Sequence, residues 1–327
     1  MEKVNHTAKT QVTEFILLGL TNSPSLKAPL FGIFLIIYLI PLMGNLGMVI
    51  LTHLESKLHT PMYFFLRQLS IADLGYSTVI GPKIVIRFVL QHSTISYTWF
   101  AVQLTSFEIF IITQLFILST TAYDHYVAIC KPLLYVIIMS GKVRWALVLV
   151  PYLYSIYVFL MALIHTLLTF CLCYCHSNII NHFYCDDMPL LRLTCSDTHY
   201  KQLSILACAR ITSISSVLIV SISYMFIFSA ILRIHSVEGR RKAFSTCSSH
   251  MMAVSIFYGT LIFMYLQPSS DHSLDTDKMA SVFYTVIIPM LNPLIYNLRN
   301  KDVKDALKKV INSRNWTSVF RELRKDF

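Results

Sequence analysis

Long apolar stretches broken by short polar segments dominate the chain. Residues 28–52 carry no formal charge, and residues 61–81 are apolar apart from Arg67 and Asp73. Residues 97–123 hold only Glu108 and residues 203–232 only Arg210, while 145–169, 243–267 and 279–298 hold no formal charge. A helix rises 1.5 Å per residue, so about 20 apolar residues cross the hydrocarbon core of a bilayer. Lipid offers no partner to an open backbone, so apolar runs of this length are helices. The pattern predicts an all-α membrane protein, a bundle of seven transmembrane helices. Residues 1–27 form an outer segment, residues 28–298 the membrane domain, and residues 299–327 an inner surface helix and tail.

Composition agrees. Apolar residues make up 55% and charged residues 13% of the 327, against roughly 25% charged in soluble domains. The net charge of +10 raises the question of nucleic acid, but its distribution answers it. With the N-terminus outside, 17 Lys and Arg fall in the inner segments and eight in the outer ones. That asymmetry is an orientation signal and a match to anionic inner lipid, and nucleic-acid binding is excluded as the poorer account. No cleavable leader stands out in the first 27 residues, which are polar apart from an apolar patch at 15–18. The expected location is the plasma membrane, multi-pass, with the C-terminus in the cytoplasm. Asn5-His6-Thr7 is a glycosylation sequon on the outer side. Past the seventh span, Val303, Ala306, Leu307, Val310 and Ile311 recur at helical spacing among lysines. This predicts an amphipathic helix on the membrane surface, with Asn300 as its N-cap. Of eight cysteines, Cys175, Cys185 and Cys195 lie ten residues apart in one polar loop, a pattern of disulfide chemistry and not of a zinc site.

Ionisable or amide groups inside spans are costly and mark function by default. Asn45, Asp73 and Asn292 are such groups, and Pro293 frees a backbone carbonyl beside the last of them. Together they predict a polar core able to hold water or a cation, or else to join helices by hydrogen bonds. Asp124-His125-Tyr126 closes the third span, Tyr224 lies near the inner end of the fifth and Lys242 opens the sixth. These groups gather where a cytoplasmic partner would dock. No internal repeat suggests a transporter. Asp73 and Asp124 lie at different depths, so a facing catalytic pair is absent and the chain is not expected to be an enzyme.

The chain resembles an odorant receptor of the rhodopsin-like superfamily from about Glu14 to Lys309. The resemblance is carried by Gly44-Asn45, by the run Leu58-His59-Thr60-Pro61-Met62-Tyr63-Phe64-Phe65-Leu66, and by Ala122-Tyr123-Asp124 with Tyr126-Val127-Ala128-Ile129-Cys130-Lys131-Pro132-Leu133-Leu134-Tyr135. Ser223-Tyr224, the run Lys242 to His250, Phe257-Tyr258-Gly259-Thr260 and Pro289-Met290-Leu291-Asn292-Pro293 complete it. It implies a receptor for small volatile or weakly polar odorants that activates a stimulatory G protein and raises cyclic AMP. By position, the implied pocket is lined by Phe107, Glu108, Ile111, Ile112, Cys208, Ile211, Thr212, Tyr258, Leu261, Tyr265, Val282 and Thr285. Most of these are apolar, as a small-ligand cavity requires. Glu108 either reads a polar group on the ligand or pairs with Arg210. The implied coupling set is Asp124, His125, Tyr126, Tyr224, Lys242, Asn292, Pro293 and Tyr296.

Four positions depart from the family pattern. His125 stands where the family has an arginine, which is always charged and offers a rigid fork of donors. Phe100 stands where a cysteine normally pairs with the one matching Cys185, which leaves the partner of Cys185 open; Cys175 and Cys195 match a second family pair. Gln114 stands where relatives have a glutamate facing Asp73, which predicts no cofactor beyond a weak sodium site there. Arg210 occupies a usually uncharged position. These departures raise a second expectation, a receptor fold with weakened or lost signalling through His125, Phe100 and Gln114.

Overall fold

The computed structural model describes residues 14–17, 24–89, 94–170, 179–180, 190–191, 193–194, 198–266, 282, 287–299 and 301–312. Its helices are α1 (Pro24–Leu54), α2 (Pro61–Val89), α3 (Tyr97–Cys130), the single turn α4 (Tyr135–Ile138), α5 (Gly141–Phe170), α6 (His199–Leu232), α7 (Val237–Leu266), α8 (Ile288–Arg299) and α9 (Lys301–Asn312). Within them, Lys27–Leu54, Pro61–Ile86, Thr98–Cys130, Gly141–Ile164 and His199–Leu232 are long and apolar enough to cross a membrane. All five overrun the apolar runs that define them, because residues at helix ends reach past the hydrocarbon without losing backbone bonds.

One apolar core runs through the bundle, built from residues such as Met48, Leu69, Tyr76, Phe107, Leu118, Ile227 and Phe257. Two glycines let helices close on one another. A Cβ on Gly75 would collide with the Phe110 ring of α3, and one on Gly81 with the Tyr38 ring of α1. Small residues at such crossings are how membrane helices gain packing contact where lipid removes the hydrophobic driving force. Hydroxyls add polar joints. The hydroxyls of Thr113 of α3 and Ser155 of α5 lie 2.9 Å apart, each also within reach of the carbonyl four residues back on its own helix, and their two protons serve two of these three contacts at a time. Large apolar side chains on the outer faces, Leu149 and Leu153 of α5 and Leu218 and Ile222 of α6 among them, stay exposed and suit contact with lipid.

At the end of the bundle where α3 begins, a small sheet was not anticipated from the sequence. β1 (Glu14–Leu17) lies between β2 (Thr94–Ser96), antiparallel with Phe15 opposite Ile95, and β3 (Ile179–Ile180), parallel with Ile16 opposite Ile179. Beneath it Phe15, Ile95, Phe100, Leu104, Ile180 and Leu190 form a second apolar cluster. The Phe15 and Phe100 rings are 5.6 Å apart.

At the opposite end, α9 is more than a surface helix. Val303 and Ala306 are buried in the main core and Val310 packs against it, while Leu307 faces outward. Lys309 Nζ bonds Glu55 Oε2 at 2.7 Å, and the Tyr63 hydroxyl donates to Asp302 at 3.3 Å. The apolar face therefore docks on the bundle, because α1 and α2 offer it protein to bury against. Asn300, the expected cap, lies outside the described residues.

Candidate ligand-binding and coupling sites

Three groups of side chains matter, arranged by depth. In the half nearer the start of α3, Phe107, Tyr258 and Leu261 are buried, and Ile111 and Val282 pack on the same cluster. Thr212 is buried with its hydroxyl 3.0 Å from that of Tyr154. Ile112 and Glu108 on α3 are half-buried, as is Arg210 on α6. The Tyr258 hydroxyl reaches across to α3, 3.0 Å from Ser119 Oγ and 3.0 Å from the Leu115 carbonyl. Ser119 in turn lies 3.3 Å from the Ser216 carbonyl of α6. One tyrosine thus ties α3, α6 and α7 together at mid-depth.

Two expected lining residues are not with this group. Ile211 is 67% exposed and Cys208 is exposed as well, both on the outward face of α6. That helix is apolar nearly all round, so composition gave no phase to tell its inner face from its outer one. Thr285 and the side chain of Tyr265 lie outside the described residues.

At mid-bundle the polar core assembles. The Asp73 carboxylate is fully buried. It accepts a bond from the Gln114 amide at Oδ1, and from Asn292 Nδ2 at 3.1 Å to Oδ2 and 3.4 Å to Oδ1. Asp73, Gln114 and Asn292 come from α2, α3 and α8, so three helices share one acceptor. Asn45 of α1 is buried, and its Nδ2 has no hydrogen-bond partner among the described residues. Pro293 is buried beside Asn292.

The third group sits near the C-terminal end of α3. Asp124 and His125 are both buried. The Tyr135 hydroxyl from α4 donates to Asp124 Oδ1 at 3.0 Å. Burial, and then the neighbouring Asp124 carboxylate, push the Tyr135 phenol well above its ordinary pKa, so it remains a donor. His125 Nδ1 donates to the Thr121 carbonyl at 2.7 Å, which leaves the other ring nitrogen as the acceptor in the neutral ring. The imidazole stacks on that of His250 from α7, whose Nδ1 shares a bond of 2.7 Å with the Tyr224 hydroxyl of α6. Tyr126 packs its ring 5.6 Å from Phe226 of α6, and Lys131 Nζ sits 5.9 Å from the Tyr126 centroid. The side chains of Lys242 and Tyr296 lie outside the described residues, as do Asn5, Cys175, Cys185 and Cys195. His250 was missed as a partner of His125; it closes the motif run from Lys242, but its contact is a matter of tertiary packing.

The bundle thus joins membrane-length helices through one buried carboxylate, and comparison with known proteins supplies its family. The model of the olfactory receptor family matches residues 34–314. The human protein "Olfactory receptor 8U8" is 65% identical over 98% of this chain and 99% of its own length. The human "Olfactory receptor 8K1" is 64% identical over 95% and 97%, and the mouse "Olfactory receptor 8U9" 65% over 94% and 96%. With the family model covering the membrane domain and relatives this similar along nearly their whole length, the chain belongs to the olfactory receptor family, multi-pass membrane receptors that detect odorants through G-protein signalling.

Proposed function

We propose that this receptor binds small, weakly polar molecules among α3, α6, α7 and Val282, and couples through the Asp124 end to a stimulatory G protein. The observation that carries the reading is the apolar cluster of Phe107, Tyr258 and Leu261 with Ile111 and Val282. A ligand there rests above the Tyr258–Ser119 bond and biases the contact between α3 and α7. Glu108, half-buried one residue from Phe107, supplies the polar end of the site. The N-terminus lies outside the cell and the Asp124 end meets the cytoplasm, as the excess of Lys and Arg in the inner segments supports. Anionic lipid of the inner leaflet is a second partner of that face.

A reading in which signalling is weakened is not favoured. The three departures behind that reading each have their own packing: Phe100 fills an apolar cluster, Gln114 bonds Asp73, and His125 bonds Thr121 and stacks on His250. The test is odorant-evoked cyclic AMP from the native chain and His125→Arg at matched surface levels. Both are expected to respond. A silent native chain beside a responding variant would restore the weakened reading, and a response that persists without the stimulatory α subunit would sink the choice of G protein. An N-terminal epitope reached only after permeabilisation would overturn the orientation.

A further inference from the structure

A crevice of about 740 Å³ opens at the Asp124 end, between the close of α1, the start of α2 and the start of α5. Its wall includes His53, His59, Tyr63, Phe64, Arg67 and Arg144, with no Asp or Glu. The two guanidiniums converge on one ring: Arg67 Cζ lies 5.6 Å and Arg144 Cζ 5.5 Å from the Phe64 centroid. Among the described residues neither arginine pairs with a carboxylate, and Arg144 Nε is buried with no hydrogen-bond partner. The nearby acids have other hydrogen-bond partners, Glu55 with Lys309, Asp302 with Tyr63 and Asp124 with Tyr135, although the charge of Arg144 is felt at Asp124. Two cations on one ring repel each other, and an anion lying between them reverses the sign of that interaction.

We propose that this crevice binds the phosphate-bearing headgroup of a membrane lipid. The forked donors of the two arginines take the phosphate oxygens in pairs, a geometry that lysine does not reproduce. Phe64 holds both forks in place, while His53 and His59 also line the crevice and are linked by a bond of 3.1 Å from the His59 ring to the His53 carbonyl. A lipid is favoured over a soluble phosphate by what adjoins the crevice. Trp145, 58% exposed, packs edge-on against Phe64 at 5.0 Å. It heads an outward apolar row on α5, Leu149, Leu153 and Ile156, along which acyl chains can lie. A basic pocket between transmembrane helices on the cytoplasmic side is the expected place for a phosphoinositide headgroup. The inference rests on the orientation proposed above only for which leaflet supplies the lipid.

The experiment is native mass spectrometry of the full chain in nanodiscs carrying a phosphatidylinositol bisphosphate, phosphatidylserine or phosphatidylcholine. The bisphosphate is expected to bind in preference to the other two. R67Q/R144Q is expected to weaken it about tenfold or more, R67K/R144K to weaken it less, and K304Q/K308Q on α9 to leave it unchanged. Thermal unfolding of each variant identifies any that misfold, and Phe64→Leu, which removes the shared ring, then serves in place of R67Q/R144Q. Unchanged binding in R67Q/R144Q overturns the proposal, as does an equal loss in K304Q/K308Q. Binding of soluble inositol trisphosphate as tight as that of the lipid overturns the choice of a lipid. Displacement of the lipid by an acidic peptide at lower concentration overturns it in favour of a protein partner. Nanodiscs present lipid at both faces, so a negative result speaks to the crevice and not to the orientation.

Discussion

His125 on α3 and His250 on α7 stack with ring centroids 5.0 Å apart and planes 17° from parallel. The Tyr224 ring of α6 also lies nearly parallel to that of His250, at 6.0 Å and 18°. Three helices therefore meet through three rings, with the Tyr224–His250 bond holding two of them in register. A partner that wedges between α3, α6 and α7 has to separate them.

His250→Ala removes both ring contacts and the Tyr224 bond. Aromatic pairs contribute about 0.5–1.5 kcal/mol each beyond their buried area. If the stack favours the closed end, its loss should raise ligand-independent cyclic AMP about two- to tenfold. The check is basal cyclic AMP at matched surface expression. A basal level equal to that of the native chain would show that the stack is packing without a part in the resting state.

Tyr135→Phe tests the neighbouring joint. The phenol holds Asp124 from α4 at 3.0 Å, and its loss leaves a buried carboxylate oxygen without that donor. The cost of an unmet buried partner is about 1–3 kcal/mol, more when the group is charged. Thermal unfolding of the purified receptor should fall accordingly. An unfolding temperature within error of the native one would mean that Asp124 finds a replacement donor, with Arg144 the nearest cation to supply one.

The convergence of Asp73 and Asn292 was legible in the sequence, because polar groups in lipid have few alternatives to one another. Membrane spans were legible for the same reason. The inner and outer faces of α6 were not, since a helix apolar on every side carries no phase, and Cys208 and Ile211 turned outward as a result. The sheet at the start of α3 was invisible for another reason. Its strands have four, three and two residues, too few for an alternating pattern to register, and Phe15 showed only as an apolar patch in a polar segment. Arg67 was seen as a charge within a span, but its meeting with Arg144 on one ring depends on how α2 packs against α5.

Asp73 gives a prediction with two arms. Gln114 donates to the carboxylate where a second carboxylate would help bind a cation. The native receptor should therefore unfold at the same temperature in sodium chloride and choline chloride. Gln114→Glu should make unfolding depend on sodium, while Gln114→Leu should lose about 1–3 kcal/mol in either salt by stripping Asp73 of a donor. A sodium-dependent rise in the native chain would instead show that the weak sodium site expected beside Asp73 persists with Gln114 in place.

Phe100 offers the last test, because it stands where the family resemblance implies a cysteine. Phe15 and Phe100 are both fully buried beneath the sheet. Burying them joins the N-terminal strand to α3, the two segments that a covalent link to the outer loop would leave independent. Phe→Ala in a packed core costs about 3–5 kcal/mol. The small cluster here has few neighbours to hold a cavity open, so the lower end is expected for Phe15→Ala and for Phe100→Ala. The contact between them is separable from the cavities each leaves. In a double-mutant cycle on thermal unfolding, the two losses should fall short of additivity by about 0.5–1.5 kcal/mol. Surface expression should drop with either single variant and further with both. Full additivity would mean that Phe15 and Phe100 are each buried against other residues of the cluster, and that those contacts, with the pairing to β2 and β3, hold the N-terminal strand without this pair of rings.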